Sequence, residues 1–211
     1  MQPIDLDRLK ILSEGLEQEA YGGDHWDPPI ETCGTYTGRI GVELETGLLL
    51  YALVRRRQPV VAVETGTFRG YSAGWIASAL ADNARGTLWT VDSLWHDDVE
   101  HAVRARDLWT RLRVESHVQP VHGDSRTWTP VERPIDFLFI DAAHEMEFVR
   151  AEFVHYWQYL QPSGALVVFH DPTSCPPVQE AIDAIWKDYL GLQALTFRNM
   201  RGLTVMEVTR R

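Results

Sequence analysis

The sequence predicts an α/β fold, a doubly wound and mostly parallel sheet with a C-terminal antiparallel hairpin and an N-terminal helical cap. Three observations lead there. From Val60 onward, short β-branched runs alternate with stretches of helical periodicity, the grammar of repeated βαβ units. Several of these runs end in a glycine turn or an acidic residue, at the sheet edge where open α/β folds bind ligands. The last two runs, 192–197 and 203–208, are only a few residues apart around Asn199 and Gly202, which is hairpin spacing.

Leu6, Leu9, Leu12 and Leu16 recur at helical spacing and predict a helix over about 5–19. The stretch 21–39 carries Gly22, Gly23, Pro28, Pro29, Gly34 and Gly38 and reads as a long loop of the kind that serves as a lid. Leu44, Leu48, Leu49, Ala52 and Leu53 mark a second helix, ended by Pro59, with Arg55 to Arg57 at the end where the helix dipole favours cations. Five strands follow at 60–63, 87–91, 117–121, 135–140 and 165–169. Helices near 71–81, 98–114 and 145–160 alternate with them, and another covers 178–189. Because a hairpin is not a crossover, one of the two final strands must run antiparallel to the rest, making seven strands in all. Two units are expected: a cap with its lid loop over 1–59 and a ligand-binding domain over 60–211.

Composition narrows the function. The 211 residues are 45% hydrophobic and 24% charged, ordinary for one globular domain with decorations, which excludes disorder and coiled coil. Thirty acidic against twenty basic residues leave a net charge of -10, which repels phosphate backbones and argues against nucleic acid. No apolar stretch approaches the roughly 20 residues of a membrane span, and Met1 to Lys10 lacks a signal-peptide core. A cytoplasmic location away from membranes is expected. Cys33 and Cys175 form neither a CxxC site nor a disulfide framework, in keeping with a reducing compartment.

The first strand of the series runs into Glu64-Thr65-Gly66-Thr67-Phe68-Arg69-Gly70-Tyr71-Ser72 and then a helix. A dinucleotide fingerprint needs GxGxxG, yet the third and sixth positions from Gly66 are Phe68 and Tyr71. Gly66 and Gly70 still allow close approach of the backbone, and the amides opening the helix at Gly70 to Ser72 suit a carboxylate. Glu64 would repel a pyrophosphate and suits a cation. Asp92, 22 residues after Gly70, is placed to accept hydrogen bonds from two ribose hydroxyls, and Asp124 or Ser125 could meet an adenine amino group. A ribose, an amino-acid carboxylate and a positive centre together describe S-adenosylmethionine.

Val60 to Ser72, Val91-Asp-Ser93, Gly123-Asp-Ser125, Phe139-Ile-Asp-Ala-Ala-His144 and Val167-Val-Phe-His-Asp171 together resemble class I S-adenosylmethionine-dependent methyltransferases, in particular the small-molecule O-methyltransferases with an ExGxxxGxS first motif. The resemblance covers about 60–208 and implies a Rossmann-like sheet whose terminal hairpin reverses the last strand. It implies Glu64, Gly66, Thr67, Gly70 and Ser72 around the methionine end, Asp92 and Ser93 at the ribose, Asp124 and Ser125 near the adenine, and Asp141 beside the cofactor. Residues 1–59 match only loosely, as a cap shaping the substrate pocket. The implied partner is a small-molecule hydroxyl acceptor, a sugar, a phenol or another natural product, with a homodimer as the assembly to test.

Members of this branch that use a divalent cation carry a carboxylate at the ends of the fourth and fifth strands, where Asp141 and Asp171 stand. The resemblance therefore implies a metal set of Asp141, Asp171 and His170 for Mg²⁺, although His170 replaces a position that is often acidic and is a poorer ligand for a hard cation. His144, three residues after Asp141, titrates near neutral pH and is the candidate general base, with Asp141 beside it in the reaction centre.

Two other readings compete. Gly70-Tyr-Ser-Ala-Gly74 matches the GxSxG elbow of an esterase with Ser72 as nucleophile, but Ser72 falls eight residues past Glu64 and within a predicted helix, and no histidine follows His170. A non-catalytic S-adenosylmethionine-binding module would share the cofactor residues without a base. Trp75, Trp157 and Trp186 fall within helical patterns and are expected in the core, whereas Trp26 and Trp95 in loops are the weaker substrate contacts.

Overall fold

In the computed structural model, β1 (Val61–Thr65) pairs in parallel with β2 (Thr87–Asp92) on one side and β4 (Phe137–Ile140) on the other. β3 (Val118–His122) extends the sheet beyond β2, and β5 (Ser163–His170) extends it beyond β4. β7 (Leu203–Thr209) lies antiparallel to β5, and β6 (Leu192–Phe197) closes the edge antiparallel to β7. The resulting order, β3-β2-β1-β4-β5-β7-β6, reverses direction between β1 and β4, which opens a crevice at their C-terminal ends. The structure describes residues 3–20, 41–95, 99–129, 134–198 and 201–210, so the loop expected over 21–39 and Trp26 lie outside the described residues.

Among the described residues, six α-helices cover the sheet: α1 (Leu6–Ala20), α2 (Leu44–Arg57), α3 (Tyr71–Asp82), α4 (Val99–Leu112), α5 (Met146–Trp157) and α6 (Pro176–Asp188). Side chains alternate across a strand, so each interior strand feeds both faces. Phe137, Phe139, Val168 and Ala62 pack with Leu50, Trp75, Leu80 and Leu112 of α2, α3 and α4. Their neighbours Leu138, Ile140, Val167 and Phe169 pack with Phe153, Tyr156, Ile182 and Ile185 of α5 and α6. Among the described residues, no helix is long and apolar enough to cross a membrane.

α1 and α2 belong to the first of these cores through Leu12, Leu50, Tyr51 and Val54. Asp82 ties them down: it accepts the Tyr51 hydroxyl at 2.6 Å, pairs with the Arg8 guanidinium and accepts the Asp5 amide at 3.2 Å. Strand β1 runs to Thr65 rather than Val63, since Glu64 and Thr65 keep the ladder with β2 and β4. α6 starts at Pro176 because proline costs nothing in a first turn whose amides have no partner. Three expectations are corrected. Trp95 is buried and stacked on Trp109 at 5.7 Å, so it is core rather than cleft wall. Trp186 is 49% exposed, since its position on the amphipathic α6 faces outward. Cys175 is disulfide-bonded, and its pairing lies outside the described residues.

Candidate functional site

The C-terminal ends of β1, β2, β4 and β5 surround a cleft of about 710 Å³, within the range of small-molecule and cofactor sites. Gly66, Thr67 and Ser72 form one wall, Asp92, Ser93, Asp124 and Ser125 a second, and Asp141, His144, His170 and Asp171 the third. Eleven expected site residues thus converge from segments spread over more than a hundred positions. Glu64 and Gly70 stand behind the wall, Glu64 fully buried beneath it.

The turn after β1 is built by glycine and an aspartate. Gly66 has φ of +83°, and a Cβ there would run into the carbonyl oxygen of Asp141, so only glycine lets the turn pass beside β4. Asp92 braces the same turn: its Oδ2 accepts the amides of Thr67 and Phe68 at 3.0 and 3.1 Å, while Oδ1 accepts that of Leu94 at 2.8 Å. Gly70, also left-handed, begins α3 with no side-chain cap, leaving the helix-opening amides to other partners.

Beneath this turn, Glu64 Oε2 accepts the Thr90 hydroxyl at 2.5 Å and Oε1 has no hydrogen-bond partner. Burial pushes its pKa up to about 8; the Ser72 and Thr90 hydroxyls oppose that without completing the shell, and Asp141 and Asp92 reinforce it. A buried carboxyl with an open oxygen under a cleft suits a cationic ligand, which would restore its ionised form. Asp124 is bound at its rim by Arg126, whose Nε and Nη2 donate at 2.9 and 2.6 Å and hold the carboxyl below its usual range. These features, a glycine-lined turn, an orphaned acidic oxygen and acidic strand ends, fit an S-adenosyl amino acid.

The third wall centres on His170, whose side chain is 1% exposed. Its Nε2 lies 2.9 Å from Glu43 Oε2, and its Nδ1 lies 3.1 Å from Asp141 Oδ1 and 3.3 Å from Asp171 Oδ2. Burial alone would lower its pKa, but the charges of Asp171, Asp141 and Glu43 outweigh burial and hold it well above the ordinary value. Asp171, at φ +68°, also receives His144 Nε2 at 2.8 Å and the Ser174 hydroxyl at 2.7 Å. Burial would raise its carboxyl, yet His170 and His144 keep it well below the usual range. His144 remains 29% exposed to the cleft; Asp171 outweighs its burial and raises its pKa.

Among the described residues, two groups gather enough donors to suggest a metal: Asp141, His170 and Asp171, and His144, Asp171 and Cys175. Neither donor set suits Mg²⁺. The sulfur of the second is committed to a disulfide, and both ring nitrogens of His170 in the first are committed to carboxylates.

Sequence reasoning missed Glu43, Arg201 and Glu152. Glu43 occupies the N-cap of α2 but makes no capping bond, because its carboxylate turns to His170 and faces Arg201 Nε at 3.5 Å. Glu152 is fully buried on α5 beneath Thr65 and Ser125; burial pushes its pKa up to about 7. An acid inside the helical pattern of 145–160 was the available signal.

Ser72 lies inside α3, buried beside Glu64, and His144 is bonded to Asp171 rather than to any serine. A serine-nucleophile constellation is therefore not assembled around it.

Residues 63–172 match a sequence family described as a methyltransferase domain. A search of curated proteins finds no match. Among solved structures, the chain is similar to the O-methyltransferase TomG from Streptomyces achromogenes, involved in tomaymycin synthesis and solved with S-adenosylmethionine. Identity is 22%, coverage 99% of this chain and 92% of that one, and the TM-score 0.70. An O-methyltransferase from Bacillus cereus in complex with S-adenosylhomocysteine is 19% identical over 98% and 92% of the two chains, with a TM-score of 0.70. The S-adenosylhomocysteine-bound methyltransferase PaMTH1 of Podospora anserina is 14% identical over 99% and 98%, with a TM-score of 0.66. At these identities the likeness is one of fold.

Proposed function

The chain belongs to the methyltransferase domain family, and from that premise we propose that it transfers the methyl group of S-adenosylmethionine to a hydroxyl of a small molecule. The observation that carries the reading is the convergence of the β1 turn, Asp92 and the Asp141–His144–Asp171 group on one cleft of cofactor size. The structural neighbours crystallised with S-adenosylmethionine or S-adenosylhomocysteine, two of them O-methyltransferases, support it.

When bound, the cofactor supplies an electrophilic methyl group on a sulfonium. Gly66, Thr67 and Ser72 hold its methionine end, where the backbone comes closest and α3 opens without a side-chain cap. Glu64 acts from below as the compensating negative charge. Asp92 and Ser93 hold the ribose, Asp124 and Ser125 the adenine side. Asp92 keeps one acceptor site, on Oδ1, free beyond the three amide bonds that fix its orientation, so a ribose hydroxyl meets a preorganised acceptor. His144 removes the acceptor's proton: with Nε2–H donated to Asp171, the neutral ring has its lone pair on Nδ1. Asp171 orients that ring and stabilises its charged form, while Asp141 borders the reaction centre.

Calorimetric titration tests the reading. S-adenosylhomocysteine should bind and NAD should not, and Asp92→Ala should weaken S-adenosylhomocysteine by about 1.5 to 3 kcal/mol through lost charge-assisted hydrogen bonds. Preferential NAD binding, or normal binding by Asp92→Ala, would remove it.

A further inference from the structure

We propose that the reaction centre works without a divalent cation because His170, clamped as an imidazolium between Glu43, Asp141 and Asp171, supplies the positive charge from within the protein. The proposal rests on the methyl-transfer reading only for its consequence for the acceptor; the charge assignment stands on hydrogen-bond geometry.

Carboxylates accept hydrogen bonds and do not donate them. His170 meets one through each ring nitrogen, Glu43 at 2.9 Å on Nε2 and Asp141 at 3.1 Å on Nδ1, with Asp171 at 3.3 Å from the same Nδ1. The doubly protonated ring is the form that satisfies both contacts, and a nitrogen that carries a proton has no lone pair for a metal. The second charge comes from Arg201, 3.5 Å from Glu43 and 3.8 Å from Asp171. Asp171 additionally accepts Ser174 and His144. Three carboxylates thus already face two positive charges, His170 and Arg201, and Asp171 is further held by the His144 hydrogen bond. A further double charge would face the imidazolium and guanidinium across a few ångströms, and it would have to strip Asp171 of bonds from three side chains. Mg²⁺ binds through oxygen donors, and a protonated His170 offers it no lone pair.

The arrangement has a consequence for the acceptor. A bound cation can gather two neighbouring oxygens of a substrate, whereas an imidazolium buried behind Asp141 and Asp171 cannot. The acceptor needs to present a single hydroxyl to His144, so isolated hydroxyls serve as well as vicinal diols or catechols.

The test uses the full-length protein stripped of metal. Titration with Mn²⁺ followed by electron paramagnetic resonance should show no binding tighter than about 1 mM. Histidine-¹⁵N nuclear magnetic resonance near neutral pH should show two protonated ring nitrogens for one slowly exchanging residue, assigned by its loss in His170→Gln. His170→Asp, which replaces the internal cation by a fourth carboxylate, should acquire Mn²⁺ binding at least tenfold tighter than the parent. Stoichiometric Mn²⁺ binding by the parent, abolished in Asp141→Asn and accompanied by loss of the Nδ1–H signal, would overturn the proposal in favour of a neutral His170 ligating through Nδ1. An Nδ1 found unprotonated without metal would overturn it as well. These readouts do not depend on cofactor binding, so a protein that fails to bind S-adenosylhomocysteine would defeat the functional reading while leaving the charge assignment standing.

Discussion

Replacing Glu64 by Gln removes a fully buried carboxyl whose ionisation is costly. Glu64 is fully buried and its pKa is moved from 4.5 to about 8, chiefly by burial. At about 1.4 kcal/mol per pH unit, that displacement corresponds to as much as ~5 kcal/mol of linkage between folding and protonation. A carboxyl with a raised folded-state pKa makes its full contribution to stability below its unfolded value and loses it as pH rises through the folded value. The parent protein should therefore lose stability from about pH 5 to pH 8 through Glu64 alone. Glu64→Gln keeps the shape and one acceptor, still takes the Thr90 hydroxyl, and has no charge to expose. Other titrating groups, Glu152 and His170 among them, are common to both proteins and largely cancel in the difference. Urea unfolding from pH 5 to pH 9 should show the two proteins close at pH 5 and the variant gaining by several kcal/mol at pH 9, a large share of the ~5 to 15 kcal/mol total of a domain. Difference curves flat to within about 1 kcal/mol across that range would refute the reasoning.

Gly66→Ala should lose at least ~2 kcal/mol in thermal or urea unfolding, since alanine is strained at φ +83° and its methyl meets the Asp141 carbonyl; parent-like stability would show that the turn relaxes freely. Ser72→Ala should leave methyl transfer measurable, and a fluorophosphonate probe should fail to label Ser72, whose hydroxyl is buried beside Glu64 in α3; labelling would restore the esterase reading. His144→Ala should leave S-adenosylhomocysteine affinity nearly unchanged while turnover falls at least about tenfold, because a base acts in the transition state. In the parent, turnover should rise with pH through a value above 6.5, the direction in which Asp171 moves His144; a profile falling over that interval would exclude His144 as the base.

Much of the architecture was legible because the signals are local. Alternating strand and helix periodicity located the first five strands of the sheet, and the spacing of the last two announced the antiparallel edge that β5, β7 and β6 form. Strand ends were legible as a site because topology brings them to one edge: Asp92, Asp141 and Asp171 needed only to close their strands. What could not be read was the partner of each polar group. Glu43 and His170 are 127 residues apart and meet only because α2 packs behind the cleft. A helix-start acid ordinarily caps its own helix, and nothing local indicates that this one does not. Glu64 was legible as an acid near a cation but not as fully buried, because Thr90 and Ser72, which enclose it, come from β2 and α3. Trp95 shows the same limit: a loop tryptophan reads as exposed until Trp109 of α4 stacks on it.

The central claim, methyl transfer to a hydroxyl, is tested most directly by incubating the protein with methyl-labelled S-adenosylmethionine and a collection of single-hydroxyl sugars and phenols, without added metal and with a chelator present. Products are then identified by mass spectrometry. The account predicts a labelled methyl ether with the parent, reduced at least about tenfold with His144→Ala. Label transferred only to nitrogen or sulfur acceptors would contradict it, whereas transfer to a hydroxyl that the chelator abolishes and Mg²⁺ restores would leave it standing and overturn the cation-free reaction centre.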